Sequence, residues 1–218
     1  MIVVVGLPAC ADSPNGERCA GGLAVEVASA ARLRGATVEL VGKVGDDGTG
    51  DAVVVALGRL GIGHAALLRD PARPTPVLAA VGVDADAIEA GGGGPEARLL
   101  PEDPGARPAL EAADVELGLR YLAGAGVVVL ADPGSEASVT AGLEGAAYSG
   151  ARLVVLVPAG AKPPTVPPEA TVLEAPADDD GSFGRLVGLF AGALDAGVDP
   201  AAAFREAVSA SGWESVAD

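Results

Sequence analysis

Aromatic side chains are scarce in this chain: three Phe, two Tyr and one Trp make up 3% of 218 residues. Half of the residues are nevertheless hydrophobic. Ala, Val, Leu and Gly carry that content, so the core must be made of small aliphatic side chains rather than rings. Basic residues are also few, 14 Lys and Arg against 30 Asp and Glu, giving a formal net charge of −16. That balance argues against a nucleic-acid polymer or an anionic membrane as partner, since both need Lys and Arg to neutralise phosphate. Two cysteines, Cys10 and Cys19, are too few for the disulfide framework of a small secreted protein. Reduced thiols and a cytoplasmic location are expected instead. His64 is the only histidine and lies far along the chain from both cysteines, so no metal site is expected. No apolar run is long enough to span a bilayer. The opening Ile2-Val3-Val4-Val5-Gly6 lacks the basic region that precedes a signal sequence and reads as a buried strand. A Gly-x-x-x-x-Gly-Lys-Ser/Thr loop is absent, and Gly6-Leu7-Pro8-Ala9 does not form a dinucleotide fingerprint.

What is present is an alternation of short apolar runs and helical patterns. After the first strand, 11–20 reads as a loop or a minimal excursion, because it holds Asp12, Ser13, Pro14, Asn15 and Gly16. Leu23 to Leu33 carries an apolar stripe at helical spacing and ends near Gly35. A strand over 37–41, a helix over 49–60 closed by Gly61, and strands over 65–68 and 77–83 follow. The segment 90–108, with four consecutive glycines and four prolines, reads as a loop across one face. Strands over 127–131 and 153–157 flank a helical stretch from Glu136 to Tyr148, the βαβ pattern of a parallel sheet covered by helices. A Pro-rich stretch over 161–180 holds one short strand at 171–173. Helices over 183–196 and 200–211 close the chain, the last with Pro200 in its first turn. The length suits one domain over 1–218 with a sizeable core, and no internal repeat is visible.

Two segments suggest chemistry. Gly21-Gly22 precedes a helix, where backbone N–H groups favour anionic or oxygen-rich ligands and glycine permits close approach. Gly42-Lys43-Val44-Gly45-Asp46-Asp47-Gly48-Thr49-Gly50 combines glycines with Lys43, one of only two lysines. Asp46 and Asp47 suit a turn and a helix start there.

The order of these motifs, from Gly21-Gly22 through Gly42–Gly50 and Leu60-Gly61-Ile62 to Arg73-Pro74-Thr75-Pro76-Val77, resembles the amino-terminal half of the ribokinase-like (PfkB) carbohydrate kinases. The resemblance covers most of 2–135 and more loosely 180–211. It implies a three-layer α/β fold with a mainly parallel central sheet, here with a reduced lid at 11–20 and a trimmed nucleotide-binding half. It places Asp12, Gly21, Gly22, Glu26 and Lys43 as substrate-binding candidates, with Glu26 where the family has an asparagine. Gly91–Gly94 and Leu100–Asp103 look like its substrate-side glycine segment and the helix start that follows. The family's Gly-Ala-Gly-Asp motif opens a helix, forms an anion hole and supplies the base. Its best match is Asp178-Asp179-Asp180-Gly181-Ser182-Phe183-Gly184. Gly181 and Ser182 would be remnants of the anion hole, and Gly184 occupies the base position. A glycine takes no proton, so Asp180 is the candidate substitute. Neither the family's Asn-x-x-Glu nor its Thr-x-Gly-x-x-Gly segment is found. The resemblance thus implies a homologue that binds a small sugar-like or nucleoside ligand, as a homodimer in many relatives, with ATP-dependent phosphotransfer lost. An active minimal kinase, which alone would require ATP and Mg, and a non-catalytic scaffold are the alternatives.

Overall fold

A computed structural model describes residues 1–12, 18–80, 98–99, 107–176 and 181–212. Its centre is a six-stranded, wholly parallel sheet in the order β10-β9-β8-β1-β4-β5. The strands are β1 (Ile2–Gly6), β4 (Val38–Gly45), β5 (Gly63–Asp70), β8 (Val127–Asp132), β9 (Arg152–Val157) and β10 (Thr171–Glu174). Strands buried on both faces read as continuous apolar runs, which is why Val3-Val4-Val5 and Val127-Val128-Val129-Leu130 lack a polar alternation. Alternate residues still go to opposite layers. Ile2, Val4, Leu40 and Val129 meet helices α1 (Leu23–Leu33), α2 (Gly48–Arg59), α5 (Ser182–Asp195) and α6 (Pro200–Ser211). Val3, Val5, Val41 and Leu130 meet α3 (Ala112–Tyr121) and α4 (Glu136–Ser149). The result is a three-layer α/β fold.

Small residues let the layers approach. A Cβ at Gly118 of α3 would lie 2.6 Å from Val41 of β4, and one at Gly142 of α4 2.6 Å from Leu130 of β8. On α5, Gly184, Gly188 and Gly192 repeat every fourth residue and share one face. A Cβ at Gly188 would meet Ala30 at 2.6 Å, and one at Gly192 would meet Arg34 at 2.8 Å, both on α1 or its cap. All three Phe of the chain lie on α5 and α6. Phe190 of α5 is fully buried and meets Phe204 of α6 edge-on, with centroids 5.9 Å apart.

Most elements extend the sequence-based readings by one to four residues. Three differ in kind. The 11–20 loop includes strand, since β2 (Ala9–Asp12) and β3 (Arg18–Gly21) form an antiparallel ribbon. Apolar Ala9 and Ala11 on one arm and Cys19 on the other pack with Leu78 in a small separate cluster, which outweighs the turn-forming residues between the arms. In this ribbon Ala11 faces Cys19 and Cys10 faces Ala20. Cys10 joins the main core while Cys19 joins the small cluster, and the two form no disulfide. Within 90–108, Arg98–Leu99 (β7) pairs antiparallel with Ala79–Ala80 (β6). Gly91–Gly94, Leu100–Asp103 and the remainder of the 77–83 strand beyond Ala80 lie outside the described residues. Helix α3 has no counterpart in the sequence reading. No helix among the described residues is long and apolar enough to cross a membrane.

Candidate functional site

From β1 the chain moves outward to β4 and β5, and from β8 it moves the other way to β9 and β10. The carboxyl ends of β1 and β8 therefore flank the point where strand order reverses, and ligands of open α/β sheets bind in the crevice there. A cleft of about 660 Å³ opens beside this point. Its floor is Asp132, Pro133 and Gly134 at the end of β8 and Val157 and Pro158 at the end of β9. Leu23, the first residue of α1, and Glu136, in the first turn of α4, form its flanks, and the Pro-rich strap 161–165 covers one side.

Gly6 ends β1 without a side chain because none fits. A Cβ there would lie 2.9 Å from Ala24 of α1 and 3.1 Å from the Asp132 backbone nitrogen. Asp132 keeps 31% of its side-chain surface exposed, and the Arg107 guanidinium stands 3.6 Å from its Oδ2. Burial pushes this carboxyl above the ordinary aspartate range, and Arg107 offsets part of that rise. A desolvated carboxylate in a cleft at a switch point is a functional-site candidate on physical grounds. The sequence reading passed over Asp132. Its signal was a carboxylate placed directly after five apolar residues and before Pro133-Gly134.

The predicted site residues fall into three groups. Glu26 of α1 and the start of α5 come together. The Glu26 carboxyl carbon lies 3.6 Å from where a Cβ on Gly181 would be, and its Oε2 lies 2.7 Å from the Cβ position of Gly184. Ser182 is the first residue of α5, directly after Gly181. Leu23 joins this contact to the cleft, lying 3.4 Å from the Gly184 Cβ position. Gly21 and Gly22 lead into the same turn of α1. Gly22 caps that helix at φ 91°, ψ 161°, a conformation open to glycine alone. A Cβ at Gly21 would meet Leu78 at 2.9 Å.

Lys43 stands apart from these. It alternates with Val41 toward α3, and its Nζ lies 2.5 Å from Asp114 Oδ2. Asp114 also accepts from the Glu111 backbone N–H in the capping box of α3. This pairing leaves Lys43 fastening β4 to α3, on the opposite face of the sheet from Glu26.

Asp12 is placed by its backbone alone, opposite Arg18, and Asp178, Asp179 and Asp180 lie outside the described residues. The Gly42–Gly50 motif has a clear structural role. Asp47 caps α2 by accepting from Gly50 N at 2.7 Å, and it also accepts from the Thr75 backbone N–H and hydroxyl, both at 2.9 Å. The Thr75 hydroxyl in turn accepts from Gly45 N. Burial raises the Asp47 carboxyl, but the hydrogen bonds from Gly50, Thr75 and Thr49 outweigh it and hold the group below the ordinary aspartate range.

The class that this topology defines is the ribokinase-like α/β fold. The crystal structure of Sa239 superposes with a TM-score of 0.71 at 15% identity, over 96% of this chain and 92% of that one. Arabidopsis thaliana ribokinase, solved with ribose and ATP, gives 0.64 at 16% identity, over 96% and 90%. A sugar kinase of Pyrococcus horikoshii gives 0.54 at 14% identity, over 72% of this chain and 55% of that one. No protein-family profile matches the sequence, and no curated protein matches it.

Proposed function

We propose that this protein is a sugar-kinase homologue that binds a small polyhydroxylated ligand in the cleft beside Asp132 and does not transfer phosphate to it. The observation that carries the reading is the contact between α1 and α5 at Gly184. In the family pattern the base projects from this position. Here the Cβ position lies 2.6 Å from Glu26 Cβ and 2.7 Å from Glu26 Oε2. The glycine is therefore required by packing, and an aspartate has no space. Phosphoryl transfer depends on a positioned base and on donors aimed at the moving charge. A glutamate lying over the start of α5 opposes a phosphate there by like charge. Asp132 and Glu136 add acceptors for hydroxyl groups and further repel a triphosphate.

One observation favours a second reading. The Glu26 carboxylate stands in the volume that a base at 184 would occupy, so an active enzyme could use Glu26 as its base. Calorimetric titration with magnesium-ATP, followed by a phosphoryl-transfer screen over sugars and nucleosides, separates the two. No binding at several millimolar, weaker than about 4 kcal/mol, together with no transfer, is the expected result. Sugar-dependent ATP turnover that disappears in Glu26→Gln would establish the active enzyme instead.

A further inference from the structure

We infer that the cleft selects a polyhydroxylated ligand bearing a cationic amine, an aminosugar or amino-polyol, over its neutral and acidic counterparts. The inference rests on the cleft being the ligand site. Its first support is the balance of charge on the walls. Asp132 on the floor and Glu136 on the flank are carboxylates, and Lys162, on the exposed strap, is the one cation in the described lining. The second is the state of Asp132. Its partner Arg107 stands 3.6 Å away, beyond hydrogen-bond length. Among the described residues Asp132 is thus paired only at ion-pair range, with 31% of its side-chain surface open, and a ligand ammonium at normal hydrogen-bond distance would strengthen that pairing.

The third support is the remaining lining. Leu23, Val139 and Val157 present apolar surface suited to the carbon skeleton of a small organic molecule. A metal ion would need a denser set of ligands, and among the described residues no group of three or more His, Cys, Asp or Glu stands close enough to hold one. The net charge of −16 acts in the same direction at long range, raising the local concentration of cations and lowering that of anions.

The test is calorimetric titration of the whole chain at neutral pH and low salt with glucosamine, glucose and gluconate. Glucosamine is expected to bind about tenfold more tightly than glucose, the size of one charge-assisted hydrogen bond, and gluconate more weakly than either. Asp132→Asn should cut the preference to the roughly two- to fivefold that Glu136 alone supplies. Glu136→Gln, on an exposed residue, should reduce the preference about two- to fivefold and provides a second readout if the first variant folds poorly. Glucose binding as tightly as glucosamine, gluconate binding most tightly, or a preference that survives both substitutions would overturn the inference while leaving a polyol site in place. Failure of all three sugars to bind would instead overturn the cleft as a polyol site.

Discussion

An aspartate introduced at position 184 would have to displace helix α1, because its first side-chain atom would fall 2.6 Å from Glu26 Cβ. Gly184→Asp is therefore expected to destabilise the protein by about 1–3 kcal/mol, the usual cost of overpacking, and to restore no phosphotransfer. Urea denaturation gives the first quantity and an ATP-turnover assay the second. Two other carboxylates should give opposite pH signatures. The Asp47 carboxyl is held low in the folded protein, so its contribution is present above the unfolded pKa and is lost as pH falls through the folded one. Asp47→Asn should remove part of the stability at neutral pH and flatten the acid limb of a stability-pH profile. Asp132 is held high, so its ionised form costs stability that grows as pH rises from the unfolded pKa through the folded one. Asp132→Asn should accordingly raise Tm at neutral pH, with the gain shrinking toward acid. A thermal-melt series from acid to neutral pH checks both, and parallel profiles for the two variants would refute the assignments.

At the level of elements, glycines keep α5 close to α1, and buried Phe side chains on α5 fill the core beside them. Phe190→Ala removes a fully buried ring that also meets Phe204 at 5.9 Å. It should cost about 3–5 kcal/mol in a denaturant titration. The strands and helices of this layer were legible because apolar runs bounded by Gly and Pro identify buried strands directly, as in Ile2–Gly6 and Arg152–Val157. Pro200 likewise marked a helix start, and the structure adds Asp199 before it as the cap, accepting from the Ala201 and Ala202 N–H groups. Helix α3 escaped because its apolar face is thin, with Val115, Gly118 and Leu119 buried, and because a Glu111 cap is unusual. The β2–β3 ribbon escaped because its arms are short and hold Ala and Cys rather than β-branched residues. For the site, the Gly-Gly pair was visible as a local pattern, and the altered motif at 181–184 only through the resemblance to the ribokinase-like motif order. The meeting of Glu26 with Gly184 could not, since it joins residues 158 positions apart through helix packing. Asp132 lacked a local pattern too, because its significance arises from strand order.

Across the whole molecule the excess of acid residues works against the compact state. Thirty acidic and 14 basic residues leave repulsion that the described ion pairs offset only locally. Most of those pairs are exposed and contribute about 0–1 kcal/mol each. The more buried pair, Lys43 with Asp114, is only weakly screened by salt. Long-range repulsion between exposed carboxylates, in contrast, falls away once the Debye length drops to about 10 Å or less, near 0.1 M salt. Adding sodium chloride should therefore raise Tm, steeply up to roughly 0.1–0.2 M and then slowly. A monotonic fall in Tm over that range would mean that surface ion pairs outweigh the repulsion. The same titration bears on the cleft, because a cationic ligand drawn in by the general field should lose affinity with salt, whereas a neutral sugar held by hydroxyl contacts should not.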